Sequence, residues 1–480
     1  MRVGDRIALP FSVLAKPTGA ACNLDCTYCF YLSKELLYDH DSQLMSESDL
    51  HSYLENLFDS QPDGPVEVAW QGGEPTLRGL AFFRRAVELA EQLHRPGQHV
   101  RHTLQTNGTL LDDKWGAFLA EHDFLVGLSM DGPLDLHDTY RVNRAGRGSH
   151  TQVLRGWQIL QRHGVEANII CTVHAANQHH PREVYRYFRD ILGARYLQFI
   201  PVVERVSAEQ LSLAEAGWRS EPHGARTVLY QQHGNAVTSR SADPTAYGEF
   251  LVEIFDEWLT RDVGAVFVQD FDVMLANLFG QHSLCVHSPE CGNAIAVEHN
   301  GDVYSCDHYV EPDHLLGNVV RESLASLVSS SQQIEFGRSK RTSLPAQCQA
   351  CPVRWACHGG CPKDRFATTA DRDPQLNYLC GGYYAFFTHA QPAIEEMGRL
   401  LRFGRLASDI MGDAPLGRRG SAVGLPQHVT LARRMLWDSQ VGVAGCRRRT
   451  QESQDGAWSG DQIGRMAHEI GDDEILELRP

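Results

Sequence analysis

Residues 66–75 read VEVAWQGGEP, and the fold turns on how this stretch is parsed. VEVAWQ (66–71) reads as a strand that ends in the turn residues GGEP. An amphipathic helix follows over Ala81–Leu93, with apolar residues at helical spacing. Downstream the pattern repeats. HTLQTNG (102–108) reads as a strand and Lys114–His122 as a helix. FLVGLSMDG (124–132) is the next strand and Thr151–His163 the next helix. VEANIICTV (165–173), a helix over Arg182–Leu192 and YLQFIPVV (196–203) continue the series. Upstream, FSVLAKP (11–17) reads as a strand that runs into a cysteine-rich loop. Such alternation predicts βαβ units and a parallel sheet, either open and doubly wound or closed toward a barrel. In both cases ligands bind at the C-terminal ends of the strands. The cysteine loop, GGEP, TNG and SMDG all fall at that rim.

The flanks differ in character. Residues 204–244 are rich in Ser, Gly, Gln and His and read as a surface insertion, and Tyr247–Arg261 reads as a helix. Beyond residue 285 the chain is cysteine-rich with little long periodicity. After about residue 400 it becomes rich in Gly, Arg and Ser, which predicts a disordered tail. No internal repeat is visible.

Composition narrows the function. The 480 residues allow two to four domains, or one large barrel with additions. With 42% apolar and 22% charged residues, the chain can build a sizeable core. A net charge of −16 argues against a general binder of nucleic acid or anionic membrane. No apolar run is long enough to span a bilayer. Arg2, Arg6 and the run Ile7–Ala15 faintly resemble an export signal, but Pro10, Lys16 and Pro17 fit one poorly. The run is read as the first strand, and the protein as cytoplasmic.

The thirteen cysteines are clustered, which suits metal binding better than a disulfide framework. Cys22, Cys26 and Cys29 have the spacing C-x3-C-x2-C and no fourth cysteine nearby. Structural zinc takes four protein ligands and an ordinary iron–sulfur cluster takes four cysteines. Three cysteines therefore leave one iron open; the alternative is a zinc site completed by a distant histidine. Cys171, in an apolar strand, reads as a small buried hydrophobe. Cys446 stands beside Arg447–Arg449 in the tail and reads as incidental.

CNLDCTYCFY (22–31) resembles the cluster loop of radical S-adenosylmethionine (SAM) enzymes. The resemblance implies a [4Fe–4S] cluster on Cys22, Cys26 and Cys29 whose open iron chelates SAM, giving a 5′-deoxyadenosyl radical on reductive cleavage. It also implies that Gly72, Gly73 and Glu74 of GGEP contact the methionine amino group through the backbone. Ser129 of SMDG and Tyr31 match positions near SAM, and Gln71 matches a substrate contact. Asn107 of TNG reads equally as a rim contact or as an Asn-Gly turn.

The later cysteines run C285-x5-C291-x14-C306, C348-x2-C351-x5-C357-x3-C361, then C380. This series resembles the SPASM domain, an extension that carries auxiliary clusters. The resemblance implies an interleaved assignment. Cys285, Cys291, Cys306 and Cys361 would hold one [4Fe–4S] cluster, and Cys348, Cys351, Cys357 and Cys380 the other. Local spacing alone would group 348, 351, 357 and 361. The implied fold is α/β: a partial (β/α)6 radical SAM barrel with a C-terminal cysteine-rich SPASM domain. The expected division is a core over 1–245, a helical linker over 246–284, SPASM over 285–390, and a helix with a disordered tail over 391–480.

Within this group WQGGEPTL, LQTNGTLL, SMDGP followed by HD, and YSCDHYV resemble the anaerobic sulfatase-maturating enzymes over about residues 10–390. These oxidise a Cys or Ser of a sulfatase to Cα-formylglycine. The resemblance implies three clusters and SAM as cofactors. It implies a sulfatase polypeptide as partner and a reductant such as flavodoxin or ferredoxin. Asp307, directly after Cys306, matches the family's general base, with the auxiliary clusters accepting an electron. For efficient proton transfer its pKa is expected to rise from about 3.9, and burial beside an anionic cluster acts in that direction. His308 and Tyr309 flank it without an assigned role; Trp70 and Trp355 read as core. Two other readings stay open. One is a SPASM enzyme that modifies another ribosomal peptide by thioether formation, crosslinking or epimerisation. Many of those carry a recognition domain ahead of the cluster loop, and Cys22 comes early for one. The other is a zinc-stabilised interaction protein.

Overall fold

A computed structural model describes residues 10–38, 44–215 and 232–412. Of the tail expected to be disordered after about residue 400, residues up to 412 are described, with helix to Arg402 and a 3-10 turn over Ala407–Met411. Residues 413–480, including Cys446 and Arg447–Arg449, lie outside the described residues, as do residues 1–9, 39–43 and 216–231.

Six parallel strands form the centre: β1 (Ser12–Ala15), β2 (Gly64–Trp70), β3 (Gln98–Thr106), β4 (Leu125–Ser129), β5 (Ala167–Val173) and β6 (Tyr196–Pro201). Each pairs with its sequence neighbour, for example Leu14 with Ala69 and Val126 with Ala167. β1 and β6 do not pair with each other, so the expected six-stranded barrel is partial. Between strands, helices α1 (Glu47–Ser60), α2 (Leu80–Leu93), α3 (Asp113–Glu121), α4 (His150–Arg162) and α5 (Pro181–Arg186) make the crossovers.

Short strands β7 (Arg205–Val206) and β8 (Ala236–Val237) pair as a separate hairpin. This changes the reading of 204–244 as a surface insertion. Glu204 and Arg240 are buried and joined at 2.7 Å, so the ends of the insertion are built into the rim. A buried ion pair holds only with both partners in place.

β9 (Phe267–Val268) adds to β6, and β10 (Ala294–Val297) adds in parallel to β1. β11 (Asp302–Tyr304) and β12 (Leu315–Asn318) continue antiparallel from β10. The cysteine-rich part therefore extends the barrel sheet to ten strands, with the edge beside β1 carrying residues 294–318. Position 285 does not interrupt that sheet.

The helix α1 stands outside the expected alternation. Its signal is nonetheless in the sequence: Ser46 caps Asp49 N at 3.1 Å, and Leu50, Tyr53, Leu54, Leu57 and Phe58 form one buried face. That face meets Trp70, which is core as expected. The rings of Tyr53, Phe82 and Phe83 stand edge-on to its indole at 5.9, 5.8 and 5.7 Å. Removing one such ring costs about 3–5 kcal/mol. Trp355 packs half-buried against the same core, and Cys171 is fully buried.

Candidate active site

The cysteine loop leaves β1 and is tied down from one side by residues 140–144. Asp25 N donates to Val142 O at 2.8 Å, Thr27 N to Tyr140 O at 3.0 Å, and Arg144 Nη2 to Cys22 O at 2.7 Å. Cys22 and Cys26 are buried and Cys29 half-buried; all twelve described cysteines are free. Burial pushes the Cys26 thiol up to about 12 and raises Cys22 and Cys29 too. Thiols in such a place ionise when a metal takes the proton's position. Three free thiols on one loop are the kind of donor set a cluster takes, although among the described residues no three such side chains are already gathered as a metal site.

GGEP is fitted against the same loop. A Cβ on Gly73 would stand 2.2 Å from Ala21 O, and one on Gly72, at φ +120°, 2.8 Å from Gly19 O. Only glycine permits this approach. The amides are already used: Gly73 N donates to Gly19 O and Glu74 N to Ala21 O, each at 2.9 Å. Glu74 itself is a buried brace. Its carboxylate accepts from Thr76 N at 3.0 Å, Thr106 Oγ1 at 2.7 Å and Asn107 N at 2.7 Å. Asn107 turns out to be both rim contact and turn residue. Its Nδ2 reaches Cys22 Sγ at 3.7 Å, while Oδ1 accepts from Thr109 N at 3.0 Å. Ser129, at the end of β4, accepts from Gln105 Nε2 at 2.9 Å.

Asp131 of SMDG was not singled out by the sequence, yet it anchors the cluster loop. It is fully buried and bonded to the Tyr28 hydroxyl, which lies between Cys26 and Cys29. Arg141 Nε pairs with it at 2.8 Å and Thr172 N donates to it at 2.9 Å. Burial opposes its charge, but Arg141 and His174 hold the carboxyl well below the usual range.

The two cysteine regions meet at Asp307. Tyr31, two residues after Cys29, donates its hydroxyl to Asp307 Oδ2. Gln71 Nε2 donates to the Tyr31 hydroxyl at 2.6 Å and lies 3.4 Å from Asp307 Oδ2. Beneath them is a residue the sequence reading passed over. Lys16 Nζ is 2.8 Å from Asp307 Oδ1 and 3.0 Å from Glu298 Oε1, and also sits over the Tyr31 ring at 5.0 Å. All three charged groups are buried. The expected rise in the Asp307 pKa is not found. Burial does push it up, but the Lys16 ammonium, His308 and the Tyr31 hydroxyl hold the carboxyl below its usual range. The sequence carries only half of the signal for Lys16: a lysine at the end of an apolar strand needs a carboxylate partner, but nothing local says which.

Four of the later cysteines come together. Cys348, Cys351, Cys357 and Cys380 line one cavity together with Gly359 and Asn377. Cys361 is outside it, although only three residues separate it from Cys357. Cys361 and Cys285 instead act electrostatically on Cys306, and Cys285 on Cys291. Cys380 opens the helix Cys380–Arg402, α8 here, which crosses Pro244–Arg261 (α6) where Gly248 and Gly382 touch. Gln269–Asn277 is α7.

A parallel partial barrel with a three-cysteine loop at its C-terminal rim, extended by a cysteine-rich domain, defines a radical SAM enzyme of the SPASM type. The chain matches the radical SAM superfamily over residues 17–188 and an iron–sulfur cluster-binding SPASM domain over residues 285–352. It is 41% identical over 406 residues to a serine-type anaerobic sulfatase-maturating enzyme of Bacteroides thetaiotaomicron, covering 84% of this chain and 95% of that one. It is 34% identical to a cysteine-type enzyme of Clostridium perfringens, covering 80% and 97%. The solved structure of native anSMEcpe with bound AdoMet and Kp18Cys peptide matches with a TM-score of 0.70 at 31% identity, over 81% of this chain and 99% of that one. The chain belongs to the anaerobic sulfatase-maturating enzymes, a family of radical SAM oxidoreductases. Among the described residues no helix is long and apolar enough to cross a membrane.

Proposed function

We propose that this protein oxidises a Ser or Cys side chain of a sulfatase polypeptide to Cα-formylglycine, with Asp307 as the proton acceptor. The observation that carries the reading is the Tyr31–Asp307 hydrogen bond, which joins the first cysteine loop to the residue after Cys306. Cys22, Cys26 and Cys29 would hold the cluster that binds SAM. Cys285, Cys291, Cys306 and Cys361 would hold a second [4Fe–4S] cluster, and Cys348, Cys351, Cys357 and Cys380 a third. The cavity shared by Cys348, Cys351, Cys357 and Cys380, with Cys361 outside it, supports that division. When bound, these groups would supply a hydrogen-atom acceptor at the substrate Cβ and an acceptor for the electron that must follow. With loss of the proton this gives the aldehyde from Ser and a thioaldehyde from Cys, which water then hydrolyses to the aldehyde with release of sulfide.

The chain's own residues manage the proton. Lys16 keeps Asp307 ionised, so the carboxylate is in the form that accepts a proton. Tyr31 and Gln71 aim the carboxylate and line the approach to it. A carboxylate with a low pKa is a weak base toward an alcohol. It suffices here, because a hydroxyl or thiol on a carbon that has lost a hydrogen atom is far more acidic than its parent. Gly72, Gly73, Glu74 and Ser129 would form the SAM side of the site. An ammonium donor needs acceptors, and with the Gly73 and Glu74 amides engaged, carbonyl oxygens are what this stretch would offer it. The chain would divide into a core over 1–245, a helical linker over 246–284, a SPASM domain over 285–390 and a C-terminal helix with a tail over 391–480. A flavodoxin- or ferredoxin-like reductant would serve the first cluster, and the free cysteines fit the reducing cytoplasm.

The test is a mass spectrum. Anaerobically reconstituted protein, SAM, a reductant and sulfatase-motif peptides carrying Ser or Cys should yield the aldehyde on at least one peptide. Asp307→Ala should keep its iron content and SAM cleavage but lose aldehyde, by roughly 10²–10⁴-fold. SAM cleavage with both peptides unmodified would move the substrate to another peptide class. Full aldehyde formation by Asp307→Ala would remove Asp307 from the role.

A further inference from the structure

Two buried cations in the cysteine-rich domain have no carboxylate partner among the described residues. Lys340, in Ser331–Thr342, is fully buried, and its ammonium donates to the carbonyls of Cys285, Val286 and Ser288. Arg365 is also buried. Its Nε donates to Gly359 O at 2.9 Å, and Nη2 to His358 O at 3.0 Å and Gly360 O at 3.3 Å. Its Nη1 reaches Lys340 O and lies 3.4 Å from Ser343 Oγ. Carbonyls satisfy the donors but do not cancel the charge. Among the described residues no Asp or Glu stands within ion-pair distance of either cation. Burying one uncompensated cation is costly, and burying two side by side more so.

The missing negative charge has an address. Lys340 holds the backbone carbonyl of Cys285 and interacts electrostatically with Cys285, Cys291 and Cys361, all from one proposed cysteine set. Arg365 faces Cys348 and Cys357 from one set and Cys361 and Cys291 from the other. Its guanidinium is bonded to the short link His358–Gly360, which joins a ligand of one set, Cys357, to a ligand of the other, Cys361. A cluster held by four thiolates carries net negative charge, which becomes more negative when it takes an electron. A fixed cation nearby favours the reduced form and raises the reduction potential.

We propose that Lys340 and Arg365 are the counter-charges of the auxiliary clusters: Lys340 raises the potential of the cluster on Cys285, Cys291, Cys306 and Cys361, and Arg365, between the two sets, raises both. The inference rests on the cluster assignment proposed above. It makes these two positioning residues for electron acceptance, since a cluster must have a sufficiently high potential to take the electron left on the substrate carbon.

The experiment is a redox titration followed by electron paramagnetic resonance. It uses full-length protein reconstituted with iron and sulfide, on a Cys22→Ala/Cys26→Ala/Cys29→Ala background that leaves only the auxiliary signals. Lys340→Met should keep its iron and move one midpoint to more negative potential. Arg365→Met should move both, and Arg365→Lys should restore them. If Arg365→Met loses iron, Arg365→Lys decides: recovered iron and midpoints support a role of charge, and no recovery means a hydrogen-bonding scaffold and overturns the inference. Retained iron with unmoved midpoints also overturns it. Absence of any auxiliary signal in the background protein would sink the cluster assignment itself, a distinguishable failure.

Discussion

Lys16 Nζ lies 2.8 Å from Asp307 Oδ1, inside the protein, with Glu298 on its other side at 3.0 Å. The three charges come from different places in the chain: the residue after β1, the residue after β10 and the turn after Cys306. The carboxylates of Asp307 and Glu298 are held below their usual range despite burial. Burial lowers the Lys16 pKa, but the two carboxylates outweigh it and raise the value overall. The stability that the acids supply is present above their unfolded values, near 4, and is lost as pH falls through their lower folded values. The lysine's share is present below its unfolded value, near 10.4, and is lost only as pH rises through its raised folded value. Between about pH 5 and pH 10 this triad should not titrate.

Lys16→Met follows from that. It leaves two buried carboxylates without their cation, and one of them will bind a proton. Wild-type aldehyde formation should therefore show no acid limb from Asp307 between pH 6 and 8. The variant should lose product as pH falls across that window, toward the roughly 10²–10⁴-fold deficit of a protonated base. SAM cleavage without peptide should change little. A flat profile in Lys16→Met would separate Lys16 from the base.

Gly73→Ala tests the fit between GGEP and the cluster loop. The new methyl would meet Ala21 O at 2.2 Å and Ala20 O at 2.5 Å, both backbone atoms that cannot rotate away. The expected outcome is loss of SAM cleavage together with the iron of the first site, while the auxiliary signals persist. Unchanged SAM turnover would mean that the loop can shift without harm.

How much of this was legible in the sequence varies by residue. The six strands were, because strand-like runs alternate with amphipathic helices and four of them end in the cysteine loop, GGEP, TNG or SMDG. The rim motifs were too, because chemistry-bearing residues at strand ends are conspicuous. Lys16 was hidden by its neighbours: it sits in FSVLAKP, and nothing local shows that its partners stand near residues 298 and 307. Asp131 was hidden inside a motif whose serine drew the attention. Spacing alone would group Cys361 with Cys357, yet Cys361 lies outside the cavity that Cys348, Cys351, Cys357 and Cys380 line, and the link His358–Gly360 intervenes. His358, Gly359 and Gly360 all have positive φ, at 47°, 76° and 62°. That left-handed run sends Cys361 away from its sequence neighbours.

Asp131→Asn probes the anchor of the first loop. It removes the charge opposite Arg141, 2.8 Å away and buried, and weakens the bond from Tyr28. Breaking such a pair costs about 3–5 kcal/mol. Because the folded carboxyl titrates below its unfolded value, its contribution is complete above about pH 4 and vanishes only at lower pH. The penalty, read as the shift in urea midpoint, should be the same at pH 8 and pH 5. A penalty that shrinks between those values would contradict the depressed carboxyl.

Gly382→Ala tests how the last cysteine set is held. Gly382 is on the first turn of α8, two residues after Cys380, and its Cα would be 2.6 Å from a Cβ on Gly248 of α6. A methyl at 382 would meet Pro244 O at 2.1 Å. Overpacking in a rigid core costs about 1–3 kcal/mol, and here the obstacle is backbone, so the helices must separate. Separation would draw Cys380 off the cavity it shares with Cys348, Cys351 and Cys357. The variant should unfold at lower temperature and lose one auxiliary signal, with the other auxiliary signal and the first-site signal kept. Equal loss of both auxiliary signals would mean that the α6–α8 crossing supports the whole cysteine-rich domain rather than one set of ligands.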